Sequence, residues 1–167
     1  MRPVLLILFF TAFLLGSCSK KEVTLSPIDT FTGGKSREWL IVENFFSGEN
    51  FTASEECFKD DTVLFSKGDE DENIRYPIYI WKKNNLKCEA GEQDVKLFFV
   101  LEEDLTKITF YSYIDGGNLD PNFGTTWNID VAENSEIRLS QGKGTNDERR
   151  LRLVPYNAPR DSSAVKI

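Results

Sequence analysis

The chain has 167 residues, with 20 Lys or Arg, 27 Asp or Glu and no His, and a formal net charge of −7. This acidic balance argues against a nucleic-acid partner, which needs clustered cations to neutralise its phosphates. The lack of His removes the commonest metal ligand and general base, and with them any Ser-His or Cys-His nucleophile pair. We therefore predict no enzymatic activity, no catalytic residues, no metal site and no cofactor.

The first eighteen residues have the pattern of an export signal. Arg2 precedes an unbroken apolar run of 12 residues from Val4 to Leu15. This length is typical of a signal peptide, since a membrane-spanning helix needs about 20 apolar residues. The run leads into Leu15-Gly16-Ser17-Cys18, which resembles the lipobox of bacterial lipoproteins.

This resemblance implies that residues 1–17 are a removable signal peptide and that Cys18 carries a lipid of the palmitate type. The alternative is an ordinary secretory signal peptide that happens to contain a Cys. An acidic domain is not attracted to anionic lipid, so a lipid on Cys18 would be its membrane attachment. Ser19 directly after Cys18 is similar to outer-membrane sorting in other lipoproteins, so the expected location is the cell envelope, at the outer membrane.

The remaining chain divides into a tether, one domain and a tail. Residues 18–33 are polar and turn-rich, which predicts a flexible tether. Residues 34–156 are expected to form a single folded domain. Residues 157–167 include Pro159 and several small polar residues, and we expect them to fray.

Within the domain, apolar residues recur with a period of two, which is typical of β-strands. About eight short strands are predicted, at residues 39–45, 62–66, 74–81, 95–101, 107–111, 127–131, 136–140 and 150–153. Such a run of antiparallel strands indicates a sandwich or an up-and-down barrel, and closure into a barrel would remove exposed edges.

Two segments of the domain are expected to depart from this pattern. A short helix is predicted at residues 51–57, with Thr52 as its N-cap and Glu55 completing a capping box. Residues 119–124, which include Pro121, are expected to form a loop.

Cys57 and Cys88 remain once Cys18 is assigned to the lipid. An even pair of Cys in an exported domain predicts one disulfide. Two free buried thiols are the alternative.

Three segments resemble the lipocalin-like domains found in lipoproteins of Bacteroidetes. They are Gly34-Lys35-Ser36 with Trp39-Leu40, Cys57-Phe58-Lys59-Asp60-Asp61 with a second Cys about thirty residues on, and the pair Trp127-Asn128-Ile129 and Ile137-Arg138-Leu139-Ser140. The resemblance covers roughly residues 34–154. It implies an all-β, antiparallel up-and-down barrel of about eight strands, with a bridge between Cys57 and Cys88.

The inward side chains of such a barrel can line a cavity for a small apolar ligand. The candidate ligand-binding residues are Trp39, Ile41, Phe65, Ile108, Phe110, Trp127 and Ile129. The alternative is that these side chains fill a solid core.

Acidic and aromatic residues offer two weaker candidate sites. Asp60 and Asp61 could join residues 69–72 in a Ca²⁺ site, but a solvated acidic turn fits better because the spacing matches no EF-hand loop. In that interpretation Asp60 and Asp61 cap the turn into the strand at Val63. Several aromatic residues are expected to point partly outward, where they would pair across strands or contact a partner: Tyr76, Tyr79, Trp81, Tyr111 and Tyr113.

Two non-enzymatic functions follow from these patterns. The first is a lipid-anchored envelope protein whose barrel binds a small apolar ligand. The second is an interaction or structural subunit of an outer-membrane protein assembly, with the barrel packed shut and an envelope protein as partner.

Overall fold

The computed structural model describes residues 26–68, 76–114 and 118–157, and for residues 113–114 and 118–123 it describes the backbone only. The predicted signal peptide, Cys18, the first part of the tether and residues 158–167 of the tail lie outside the described residues.

One antiparallel sheet of nine strands dominates the fold. The strands are β1 (Ser36–Phe46), β2 (Glu49–Asn50), β3 (Thr62–Ser66), β4 (Ile78–Lys82), β5 (Val95–Leu101), β6 (Lys107–Ile114), β7 (Asn118–Glu133), β8 (Glu136–Gln141) and β9 (Arg149–Pro155). Strands β3 to β9 each pair with the next, and β1 pairs with both β3 and β9. Since β2 only extends one end of β1, the other eight strands form a closed up-and-down barrel, which confirms the predicted fold class.

Alternating apolar residues on every barrel strand face the interior and make one core. The fully or nearly buried members are Phe31, Trp39, Ile41, Val63, Phe65, Tyr79, Phe99, Ile108, Phe110, Ile137, Leu139, Leu151 and Leu153. Burial of each such side chain contributes about 1.5–3 kcal/mol relative to exposure. The period of two in the sequence therefore reflects the inner and outer faces of one closed sheet.

A short helix, α1 (Pro27–Thr32), closes one end of the barrel. Phe31 is fully buried, and its ring meets that of Phe65 edge to face at 5.2 Å between centroids. The indole Nε1 of Trp39 donates a hydrogen bond to the Phe31 carbonyl over 2.8 Å. Gly33 ends the helix with a φ of 62°, a left-handed conformation that glycine adopts without strain.

This helix corrects the predicted tether of residues 18–33. Residues 27–33 belong to the folded domain because Phe31 completes its core. The segment is mostly polar and turn-rich, so its composition did not indicate that Phe31 is a core residue.

Bulges in two strands shift the inside–outside alternation partway along the barrel. The register of β1 against β9 shifts between Ile41 and Glu43, and that of β7 against β8 shifts between Ile129 and Val131. An extra residue in one strand reverses the faces of those that follow. Glu43 and Val131 therefore lie on the outer face of the barrel.

Three local predictions are wrong in detail. Helix α2 (Phe51–Ser54) forms within the expected segment, but Asn50 is its N-cap and makes no side-chain capping bond, so the predicted capping box is absent. Residues 119–124 continue strand β7 instead of forming a loop. Tyr79 and Trp81, expected to point outward, lie on the inner face and pack in or against the core.

The predicted disulfide is confirmed. Cys57, in a 3₁₀ turn at Glu56–Phe58, is bonded to Cys88 with 5.1 Å between their Cα atoms. The bridge joins the segment before β3 to the loop between β4 and β5, at the end of the barrel opposite α1.

Replacing Phe31 with Ala should lower the free energy of unfolding by about 3–5 kcal/mol, since it empties a fully buried aromatic site. Urea unfolding followed by tryptophan fluorescence measures the change. Tyr156→Ala is the matched control, because that ring is 47% exposed and its loss should cost less than about 1 kcal/mol. Equal effects of the two substitutions would contradict the placement of α1 in the core.

Candidate functional site

The candidate ligand-binding residues all face the barrel interior, but they differ in depth. Five are fully or nearly buried: Trp39, Ile41, Phe65, Ile108 and Phe110. Trp127 and Ile129 are only partly buried and pack against this core. The structure thus brings all seven residues together on the inner face of the barrel.

Aromatic rings occupy the interior next to α1. The ring of Phe65 lies 5.2 Å from each of Phe31, Tyr79 and Phe99, and Tyr79 lies 4.7 Å from Phe110. These are ordinary contact distances between aromatic centroids. A ligand could therefore reach the deepest candidates only by displacing protein atoms.

The opposite end of the barrel exposes apolar side chains on its inner face. Phe46, at the end of β1, is 38% exposed, and Val95, at the start of β5, is 46% exposed. Val95 pairs with Trp81 and shares its inward face. Leu86, on the disulfide-linked loop at this end, is also exposed. We call these four residues, Phe46, Trp81, Leu86 and Val95, the open-end cluster.

Sequence reasoning did not select the open-end cluster as a site. Simple alternation from Trp39 places Phe46 on the outer face, and only the bulge after Ile41 turns it inward. Val95 could have been found, because it continues the inward row of Phe99 and the partly buried Leu97.

A buried ion pair supports one wall of the open end. The fully buried carboxylate of Asp61 accepts hydrogen bonds from Trp81 Nε1 over 2.7 Å and from Lys83 Nζ over 2.8 Å. The Lys83 side chain is only 8% exposed, and its ammonium group lies 4.5 Å from the centre of the Phe58 ring. Glu92 gives Lys83 a second carboxylate partner at 3.1 Å.

The pKa values of the two carboxyl groups are shifted in opposite directions. Burial raises the pKa of Asp61, while the bonds from Lys83 and Trp81 oppose that rise. The hydrogen bond from Lys83 lowers the pKa of Glu92, which lies nearer the solvent. Because the two acids share one ammonium group, Lys83 fixes the position of the loop that carries Glu92.

Asp60 orders the same loop through backbone contacts. Its Oδ2 accepts hydrogen bonds from the backbone N–H groups of Asn85 over 2.9 Å and of Leu86 over 3.2 Å. Asp60 therefore caps the turn after β4, where we had expected it to cap the turn into β3. The bridge at Cys88 and the bond to Asp60 hold the two ends of the turn that carries Leu86.

The Ca²⁺ interpretation of these acids gains no support. Asp61 is bonded to Lys83, and residues 69–72 lie outside the described residues. In the part of the chain that the structure describes, no group of three or more Cys, Asp or Glu side chains is arranged to hold a metal ion.

No protein-family model matches this chain, and no curated protein is significantly similar to it. None of the helices in the described ranges is long and apolar enough to span a membrane. The site is therefore interpreted from its own geometry.

Replacing Asp61 with Asn should lower the free energy of unfolding by about 3 kcal/mol, since it leaves the ammonium group of Lys83 buried without its closest carboxylate. Urea unfolding at neutral pH checks this. Glu56→Gln is the control, because it breaks the exposed pair with Lys59 and should cost less than about 1 kcal/mol. A cost for Asp61→Asn as small as that of the control would show that the pair is solvated.

Proposed function

We propose that this protein is a lipid-anchored protein of the cell envelope whose barrel binds a small apolar ligand at its open end. The observation that carries the proposal is the open-end cluster, in which the inward-facing Phe46 and Val95 are each more than a third exposed. The guanidinium group of Arg149 lies over the Phe46 ring and would border the ligand on that side. Phe46 and Val95 lie on the concave inner face of the sheet, where a ligand would contact several strands at once.

The physical argument is the gain from covering that surface. Removing apolar area from water contributes about 25 cal/mol per Å², and concave apolar sites bury most of a small ligand. The partly buried Trp81, which pairs with Val95, would add a flat ring surface towards the interior. The packed rings around Phe65 form the floor, so the ligand would lie above the core.

The membrane anchor rests on the N-terminal sequence. Cys18 follows an apolar run of signal-peptide length, in a pattern that resembles the lipobox. With 27 acidic against 20 basic residues, the chain has little attraction for anionic lipid, so a covalent lipid would supply the attachment.

Ligand binding can be measured with N-phenyl-1-naphthylamine, a neutral apolar dye whose fluorescence rises in apolar surroundings. We expect Val95→Asp to weaken binding about tenfold, which corresponds to ~1.4 kcal/mol, because a charge would then face the ligand. Val100→Asp is the matched control, since Val100 is 40% exposed on the same strand but lies on its outer face. Dye binding that is absent, or equally weakened by both substitutions, would refute an open-end site.

The anchor has a separate test. In a bacterial host that processes lipoproteins, the chain should incorporate an alkyne-labelled palmitate and partition into the detergent phase of Triton X-114. Cys18→Ser should abolish both behaviours, and Cys57→Ser should retain the label. Full labelling of the Cys18→Ser variant would refute lipidation at this residue without affecting the ligand proposal.

A second candidate is an interaction or structural subunit of an outer-membrane assembly. The packed core around Phe65 favours it, because a barrel filled at one end has less room for a ligand. A chain that binds no dye, yet is crosslinked in cells to one envelope protein, would support this candidate over the first.

A further inference from the structure

A polar groove of about 740 Å³ runs along the outer wall of the barrel, on the side opposite the core. It lies across β7, β8, β9 and β1. Arg138 and Ser140 on β8 pair with Arg152 and Arg150 on β9, and all four alternate with core residues, so they point outward. The groove is therefore separate from the open-end cluster.

Carboxylates below the arginines hold the guanidinium groups in place. Glu136 accepts hydrogen bonds from Arg138, over 2.8 Å, and from Arg152. Glu43 accepts one from Arg150 Nε over 3.2 Å. The side chains of Glu136 and Glu43 are more buried than those of the arginines they bind. Each guanidinium has five N–H donors, so these bonds leave others directed towards solvent.

Two further donors in the groove have no acceptor among the residues that the structure describes. Ser140 is only 2% exposed, and its hydroxyl has no hydrogen-bond partner among the described residues. Lys143, in the loop after β8, lines the same groove and forms no ion pair within the described part of the chain. A buried hydroxyl without a partner costs about 1–3 kcal/mol. An acceptor supplied by a ligand would recover that energy.

We propose that this groove binds a small ligand carrying one oxyanion, a carboxylate or a phosphate. The anionic oxygens would accept hydrogen bonds from Ser140, Lys143 and the free N–H groups of Arg150. Such a pairing is strong because donor and acceptor are both charged at Lys143 and Arg150.

The acids of the groove set the size and charge of the ligand. Glu43, Glu148 and Asp130 also line it, so a polyanion would meet repulsion along the groove while a single oxyanion would not. Asp130 is exposed at the bulge of β7 and can accept a hydrogen bond from a hydroxyl group of the ligand. A hydroxyl-bearing monoanion therefore fits best.

Isothermal titration calorimetry on the full chain in neutral detergent tests the proposal, with glucuronate, inorganic phosphate and glucose as probes at low ionic strength. We expect one or both anions to bind and uncharged glucose not to bind. Glucuronate alone would assign the site to organic carboxylates, and phosphate alone would assign it to phosphate groups.

Substitutions test whether anions bind at the groove or are attracted by positive charge anywhere on the protein. Ser140→Ala and Lys143→Gln should each weaken anion binding about fivefold or more, which corresponds to ~1 kcal/mol. Lys35→Gln, which removes an exposed cation near α1, should leave binding unchanged. Ser140→Ala should not lower the melting temperature, because the hydroxyl it removes has no hydrogen-bond partner among the described residues. Absence of binding by both anions, or equal weakening by Lys35→Gln, would overturn the proposal.

Discussion

The pairing of β1 with two partners, β3 on one edge and β9 on the other, closes the sheet and determines the rest of the fold. Once the sheet is closed, every strand has an inside and an outside, and no long edge is left for aggregation. The same closure requires β1 to bend, and the bulge between Ile41 and Glu43 lies within its pairing with β9. Strand β1 thus contributes Trp39 to the core and, after the bulge, Glu43 to the outer groove.

The two ends of the barrel are stabilised by different interactions. At one end, α1 inserts Phe31 beneath Trp39, and the aromatic rings pack to ordinary interior density. At the other end, the order of the loops comes from polar and covalent links: the ion pair of Asp61 with Lys83 and the bridge at Cys57. These links hold the rim without filling it, which leaves the open-end cluster accessible.

Much of the fold could be predicted because each strand carries its own alternation. Trp39, Phe65 and Ile108 were expected to face inward, and they do. The assignment failed at β4, where Ile78 and Ile80 alternate with Tyr79 and Trp81. Both faces of that strand are apolar, so a period of two cannot tell the inside from the outside.

The candidate sites were harder to predict, for reasons that are local and physical. A bulge is invisible in a single sequence, so the inward position of Phe46 and the outward position of Glu43 could not be derived. The groove depends on arginines from adjacent strands whose register only the folded sheet defines. The segment around Phe31 has too few apolar residues to predict helix α1, which completes the core.

The position of α1 has a consequence for how the domain would stand on a membrane. The chain enters the barrel at its closed end, and the ion pair of Asp29 with Lys67, the residue after β3, fixes the helix there. Only 8 residues separate Cys18 from Pro27, a stretch that spans about 30 Å when fully extended. A lipid on Cys18 would therefore keep the plugged base of the barrel next to the bilayer and direct its mouth away from it. An apolar ligand would then reach the open end of the barrel from the aqueous side. A ligand dissolved in the membrane would have to leave the bilayer before it could bind.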